Sequence, residues 1–156
     1  MFLDAIFPTP IWGFDLHLDL DSIKFWCYEE MKKDTGRILS NVGGWQSNDY
    51  RDLENTPLKD FTNYILKESH NISEDLGIPK GDRHLANLWI NINPKYSYNQ
   101  VHVHPEARLS GVFYVSCREN SGDLCFTRSG GYALGTVAPN STRYSSCEWC
   151  YPPKKN

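Results

Sequence analysis

The spacing of apolar residues changes near Gly81 from a helical period to a strand period, and this change constrains the fold more than any other feature. Before it, two segments place apolar side chains three and four positions apart, as one face of a helix requires. After it, apolar and polar residues alternate, as they do in strands with one buried face. This order predicts an α+β chain in which two N-terminal helices cover a mainly antiparallel β jelly roll or sandwich.

The two helices have recognisable start signals. The first is predicted to begin at an N-cap, Asp21 or Ser22, and to end near Gly36. The second is predicted to begin at Thr56-Pro57, because an N-cap followed by a proline at the first helical position is typical of helix starts. Its apolar face continues to His70 or beyond.

The segments around the helices are less regular. Residues 1 to 20 alternate loosely between apolar and polar side chains, which predicts an edge strand that tolerates its prolines. Residues 37 to 55 are rich in glycine and asparagine, which predicts a long loop. At 156 residues, the whole chain is expected to form one domain, residues 1–156.

Four strands are predicted after Gly81, at residues 87–93, 101–104, 109–117 and 123–127. In the first strand, Leu88, Ile90 and Ile92 form an aliphatic face, which is predicted to belong to the core. The opposite face carries Asn87, Trp89 and Asn91. Amides beside an indole favour a pocket with a few oriented polar groups.

Charge and hydropathy exclude some classes of protein. The formal net charge is -3 and the isoelectric point is near 5.9, with no cluster of Lys or Arg, so nucleic acid is not an expected partner. No segment has the 18 or so apolar residues that a membrane span needs, and the first twenty residues do not resemble a secretory signal. These features predict a cytoplasmic protein.

The five cysteines form an odd set without the spacing of a disulfide framework, which predicts reduced thiols. Cys147 and Cys150 form a C-x-x-C motif. A single motif of this kind is typical either of ordinary cysteines or of half a zinc site or a redox pair, and the sequence leaves these alternatives open.

His102 and His104 are the candidate metal ligands. Because side chains alternate along a strand, the two imidazoles are predicted to lie on one face, close enough to bind one cation. Neutral imidazole suits iron, zinc, copper or nickel, and a third ligand has to come from elsewhere. Glu106 is a candidate, although Pro105 is predicted to bend the chain before it. The alternative is a pair of surface histidines without a metal.

Several separated motifs resemble one family. They are, in chain order, Phe7-Pro8-Thr9-Pro10-Ile11-Trp12, the loop from Ser40 to Ser47, the run from Trp89 to Asn93, Asn99-Gln100-Val101-His102-Val103-His104-Pro105, and the run from Leu109 to Val115. Together they resemble the iron(II)- and 2-oxoglutarate-dependent oxygenases. Because the motifs agree in order over roughly residues 6 to 128, the resemblance is more specific than one His-x-His pair.

The resemblance implies a double-stranded β-helix that binds Fe(II) and 2-oxoglutarate and couples decarboxylation of 2-oxoglutarate to hydroxylation of a second substrate. It implies that His102 and His104 bind the iron. It also implies that Arg143 clamps the far carboxylate of 2-oxoglutarate, the alternative being a surface arginine in a polar tail, and we assign Asn91 and Tyr114 with it to binding this co-substrate. The sequence does not identify the second substrate.

The chain departs from the family pattern at the third ligand. The first family motif is usually His-x-Asp or His-x-Glu, completed by a distal histidine. Here the second position is His104, which either takes the place of the carboxylate or leaves the iron to one of the two histidines and a group not visible in the sequence. No histidine follows His104, and Gly135 falls at the distal position. About two strands of the family pattern are therefore expected to be missing, which would expose sheet edges that a homodimer could cover.

Three functions are compatible with this pattern. The first is a dioxygenase that hydroxylates an unknown substrate. The second is a degenerate, catalytically inactive relative that retains the barrel as a binding module. The third is a cupin-like metal-binding protein, in which a metal held by the histidines and Glu106 acts as a Lewis acid or binds a small acid.

Overall fold

The computed structural model describes residues 2, 4, 8–79, 81, 84–128, 142–143 and 146–153. In these residues the chain forms α1 (Leu20–Met31), β1 (Asn41–Val42), β2 (Trp45–Gln46), α2 (Lys59–Asp75), β3 (Asn91–Ile92), β4 (Tyr98–Asn99), β5 (Leu124–Thr127) and β6 (Glu148–Tyr151). The strands form three antiparallel pairs, β1 with β4, β2 with β3 and β5 with β6. The predicted α+β class is therefore confirmed, and the jelly roll stays a prediction.

Helix α1 begins slightly earlier than predicted. Asp19 is its N-cap, because its Oδ1 accepts a hydrogen bond of 3.1 Å from the backbone N–H of Ser22. The three-and-four spacing correctly identifies the buried side, since Ile23 and Cys27 are its buried residues. The helix ends at Met31, before the predicted end near residue 36.

Helix α2 begins two residues later than Thr56 and Pro57 predict, with Leu58 at the N-cap position. Thr56 organises the turn before the helix instead. Its Oγ1 accepts a hydrogen bond of 3.2 Å from the backbone N–H of Leu58 and donates one of 2.9 Å to the carbonyl of Leu53. The threonine is therefore a local cap of the turn that leads into α2.

The core joins both helices to the segment around β3. It is a cluster of six buried apolar residues: Ile23, Cys27, Leu53, Leu58, Phe61 and Ile90. Leu88 and Ile92 pack against this cluster, which confirms the predicted aliphatic face. Phe113 stacks on Phe61 with ring centroids 4.5 Å apart, so the segment after the histidines is also attached to α2.

Two predictions for the first third of the chain are wrong. Residues 8–19 are not paired in a sheet, so the described part of the N-terminal segment is not an edge strand. The predicted loop at 37–55 contains β1 and β2, separated by Gly43 and Gly44. Gly43 has a φ of 73°, which an L side chain adopts only with strain. Strands of two residues are too short to show a period of two.

The later strands are predicted with mixed success. The strand predicted at 123–127 is confirmed by β5, and a turn with positive φ at Asn120 and Gly122 precedes it. Residues 101–104 and 109–117 are not hydrogen-bonded into a sheet, so the strands predicted there are wrong. Alternation of side chains is necessary for a strand, but it does not supply the neighbouring strand that pairs with it.

The cysteines also differ from the prediction. Cys125 and Cys150 form a disulfide across β5 and β6, whereas Cys27, Cys117 and Cys147 are free. The prediction of five reduced thiols is therefore wrong, and the C-x-x-C cysteines are not bonded to each other. The partner of Cys150 follows from the pairing of β5 with β6, which sequence spacing does not show.

No helix that the structure describes has the length and apolar character needed to span a bilayer.

Candidate metal centre

The backbone at the two histidines leaves the sheet just before them. Strand β4 ends at Asn99, and the backbone N–H of Gln100 donates a hydrogen bond of 2.8 Å to the carbonyl of Ser40. A turn follows, in which the N–H of Ala107 donates to the carbonyl of His104 at 3.2 Å. Pro105 lies inside this turn, so the predicted bend is present. The histidines therefore occupy a short connection between a strand and a turn.

The two imidazoles lie next to each other although their segment is not a strand. The ring centroids of His102 and His104 are 4.8 Å apart and the rings are nearly perpendicular, at 86°. Val101 and Val103 are 78% and 81% exposed. The predicted proximity of the two rings is thus present in the structure.

One ring is held by the backbone. The Nδ1 of His102 lies 2.6 Å from the carbonyl oxygen of Gln100. A carbonyl can only accept, so Nδ1 carries the hydrogen and donates it, which leaves the lone pair on Nε2. Histidines that bind metals commonly have one ring nitrogen oriented by such a hydrogen bond. The sequence analysis did not identify Gln100, because its contribution is made by a backbone atom.

The other ring lies beside an aromatic wall. The ring centroids of His104 and Trp89 are 5.4 Å apart, with an angle of 41° between the planes. Both side chains are half-buried. Trp89 precedes Ile90, which is anchored in the core, so the indole is fixed next to the histidine pair. The polar face predicted for this segment therefore contributes its indole to the site.

The two amides of that face lie in different surroundings. Asn91 is exposed and is paired with Gln46 in the β2–β3 register. The Nδ2 of Asn87 donates a hydrogen bond of 3.2 Å to Oδ2 of Asp49, and Asp49 also forms an ion pair with Arg37. The Asn87 side chain therefore links the segment before β3 to the segment that contains Asp49.

Acid is expected to weaken the interactions of Asp49 with Arg37 and Asn87. The hydrogen bond from Arg37 is the largest effect on the Asp49 carboxyl and, with help from Asn87, it outweighs desolvation and holds the pKa below its usual value. A depressed pKa stabilises the folded state above the unfolded pKa, and this contribution is lost as the pH falls through the folded value. We expect urea unfolding to show a loss of stability below about pH 4 that is smaller in Asp49→Asn. An equal loss in both proteins would contradict this assignment.

The described residues do not supply a third side-chain ligand. No His, Cys, Asp or Glu among them forms a three-ligand group with His102 and His104 whose ligand atoms lie within 4.8 Å of one another. Glu106 is exposed in the turn after His104. The site therefore fits iron(II) in the kind of ligand, since neutral imidazole suits this ion, and it supplies two of the three protein ligands of a facial triad.

Tyr114 lines a cleft beside the start of α1. This cleft of about 520 Å³ is lined by Tyr114 to Cys117 and by the start of α1 with Lys24. Burial raises the pKa of the Tyr114 hydroxyl, and the nearby Cys117 and Asp123 add to the increase. That Tyr114 helps to bind a co-substrate remains a prediction.

Arg143 is exposed, and residues 129–141 lie outside the described residues. Gly135, which the motif alignment places at the distal ligand position, is therefore outside them too, as is Phe7 of the first motif. The assignment of Arg143 to 2-oxoglutarate stays a prediction.

Comparison with known proteins agrees with the motifs. Residues 87–155 match the family described as "Putative 2OG-Fe(II) oxygenase". No curated protein and no solved structure matches the chain. The match covers under half of the chain, but it contains Trp89 and both histidines. Over residues 87–155 the resemblance predicted from the sequence is confirmed: this part of the chain is similar to the family described as "Putative 2OG-Fe(II) oxygenase".

Proposed function

We propose that this protein is an Fe(II)- and 2-oxoglutarate-dependent dioxygenase whose metal is bound by His102 and His104. The observation that carries the proposal is the pair of imidazoles 4.8 Å apart inside the segment that matches the family. The double-stranded β-helix is part of this proposal, because the short antiparallel pairs do not by themselves establish it. A cytoplasmic location is also proposed.

The iron, when bound, would supply the activation of dioxygen, one oxygen atom of which ends in the succinate formed from 2-oxoglutarate with loss of carbon dioxide and the other in the hydroxyl group of the second substrate. The residues of this chain would bind the iron and orient its two imidazole ligands. The carbonyl of Gln100 fixes the His102 ring so that Nε2 is the coordinating atom. Trp89 shields one side of the His104 ring.

Co-substrate binding is proposed for three further residues. Arg143 is suited to a terminal carboxylate, because a guanidinium donates two parallel hydrogen bonds to it. Asn91 and Tyr114 offer an amide and a hydroxyl as further hydrogen-bonding groups. Asn91 is exposed, which leaves its side chain accessible to a small dicarboxylic acid.

A second candidate function is a binding module of the same family without oxygenase activity. It is favoured by the lack of a third side-chain ligand beside the two histidines in the part of the chain that the structure describes. Two imidazoles can bind a divalent ion without the three-ligand arrangement that leaves positions for both 2-oxoglutarate and dioxygen.

One experiment separates the two functions. Metal-free protein is titrated anaerobically with Fe(II) and then with 2-oxoglutarate, and the visible charge-transfer band is recorded before air is admitted and succinate is measured. The proposed dioxygenase gives the band and forms succinate without added second substrate, at the slow rate of uncoupled turnover. Iron binding without band or succinate identifies the binding module. Absence of iron binding overturns both functions.

A further inference from the structure

A second group of potential metal ligands lies on the β5–β6 pair, far along the chain from the histidines. In this antiparallel register Cys125 is directly opposite Cys150, and Thr127 is opposite Glu148. Residues two apart on a strand share a face, so Glu148 lies on the same face as Cys150. Two sulfurs and one carboxylate are thereby brought together by strand pairing alone.

The three side chains are close enough to reach a single ion once the disulfide is reduced. The ligand atoms of Cys125, Glu148 and Cys150 all lie within 4.8 Å of one another. Around a tetrahedral zinc ion with bonds of roughly 2.0–2.3 Å, neighbouring ligand atoms are about 3.3–3.8 Å apart. In the disulfide the two sulfurs are bonded to each other and lie closer than two ligands of one ion, so after reduction they have to move apart by side-chain rotation to hold the ion together with Glu148.

The backbone that carries these ligands is held in place. The side-chain oxygen of Ser146 accepts a hydrogen bond of 3.2 Å from the backbone N–H of Glu148, and its hydroxyl donates to the carbonyl of the same residue. At the same end of the pair, the N–H of Arg128 donates to the carbonyl of Cys147 at 2.8 Å. These hydrogen bonds hold the backbone of Glu148 in place at this end of the strand pair.

The opposite face of the pair is aromatic. Phe126 is opposite Trp149 in the register, and its ring packs edge-on against Tyr151 with centroids 6.1 Å apart. The two sulfurs and the Glu148 carboxylate all lie on the face opposite to these aromatic rings. Cys147 precedes β6 and does not belong to the three-ligand group.

We propose that Cys125 and Cys150, in their reduced form, bind a thiophilic divalent cation such as zinc together with Glu148. Two thiolates and a carboxylate form a ligand set that zinc accepts, with the fourth position left to water. The disulfide and the metal-bound form are alternative states of this face, because a sulfur in the disulfide is no longer a thiolate. The proposal does not depend on the function of His102 and His104.

The change between the states is a two-electron reduction. An external dithiol breaks the Cys125–Cys150 bond, each sulfur takes up one proton, and the dithiol becomes a disulfide. Zinc then displaces the two thiol protons when it binds, so binding strengthens as the pH rises. In a reducing compartment the thiols would predominate.

The test uses the His102→Ala/His104→Ala variant, so that imidazole binding does not interfere. After reduction with a phosphine and removal of metal, the protein is titrated with Co²⁺ and then with Zn²⁺. We expect one equivalent of Co²⁺ to bind with a thiolate-to-cobalt charge-transfer band, which Zn²⁺ then abolishes. The unreduced protein, in which the disulfide is intact, should not show the band.

Variants identify the ligands. Adding Cys125→Ser or Cys150→Ser should abolish the band, and Glu148→Gln should weaken binding by about tenfold or more. Cys147→Ser is the matched control, because it removes a nearby exposed thiol that is not in the group, and it should leave affinity and band unchanged. The proposal is overturned if the reduced protein lacks the band, if Cys147→Ser abolishes it, or if it survives in Cys125→Ser/Cys150→Ser. Circular dichroism of each reduced variant establishes that it is folded.

Discussion

Alanine at His102 is expected to weaken iron(II) binding by more than about 100-fold, since changes to residues that merely orient a ligand already cost roughly 10- to 100-fold. Alanine at His104 is expected to have an effect of the same size. The two imidazoles are neighbours with centroids 4.8 Å apart, and the described residues offer no third side chain to compensate for a lost one. One remaining imidazole cannot compete effectively with water for the ion.

Anaerobic competition between the protein and a colorimetric chelator measures this affinity. His70→Ala is the matched control, because His70 is an exposed histidine on α2 outside the matched segment. We expect the control to bind iron(II) as the unchanged protein does. Equal losses in His70→Ala and His102→Ala would show that surface histidines bind the iron, and would remove the basis of the proposed metal centre.

The sequence predicts the helical part of this fold well because its signals are local. A helix buries residues three and four positions apart, so Ile23 and Cys27 identify the buried side of α1 without knowledge of its partners. The exact cap is less certain. Asp19, Asp21 and Ser22 are all good capping residues within one turn, and the structure uses the first of them.

The strands are predicted less well because a strand exists only with its partner. Val101 to His104 alternates as a strand does, yet these residues remain unpaired. Conversely, β1 pairs with β4 across a long sequence separation and is too short to be recognised. The sequence of β6 did contain a signal, since Trp149 and Tyr151 alternate with Cys150, which is typical of a strand.

Prediction of the candidate site requires both local sequence patterns and the long-range packing of segments. That His102 and His104 lie together could be predicted, since residues two apart in an extended chain project to the same side. The contact between His104 and Trp89 could not, because it depends on how two segments pack. The disulfide between Cys125 and Cys150 is of the same long-range kind.

Alanine at Phe61 is expected to lower the free energy of unfolding by about 3–5 kcal/mol. Phe61 is only 9% exposed in the core cluster, and its ring stacks on Phe113 at 4.5 Å with 19° between the planes. The substitution therefore leaves a cavity and removes an aromatic contact that adds about 0.5–1.5 kcal/mol. For a domain of this size the melting temperature should fall by roughly 10 °C.

Chemical denaturation and thermal melting measure these losses. Phe25→Ala is the matched control, a phenylalanine on α1 that is 69% exposed, and its effect should stay within about 0.5 kcal/mol. Combining Phe61→Ala with Phe113→Ala should cost less than the sum of the single variants, because the stacking contact can be lost only once. Additive losses would show that Phe113 does not attach its segment to α2 through this stack. The non-additivity therefore tests whether the chain that follows the two histidines is anchored on the helical core.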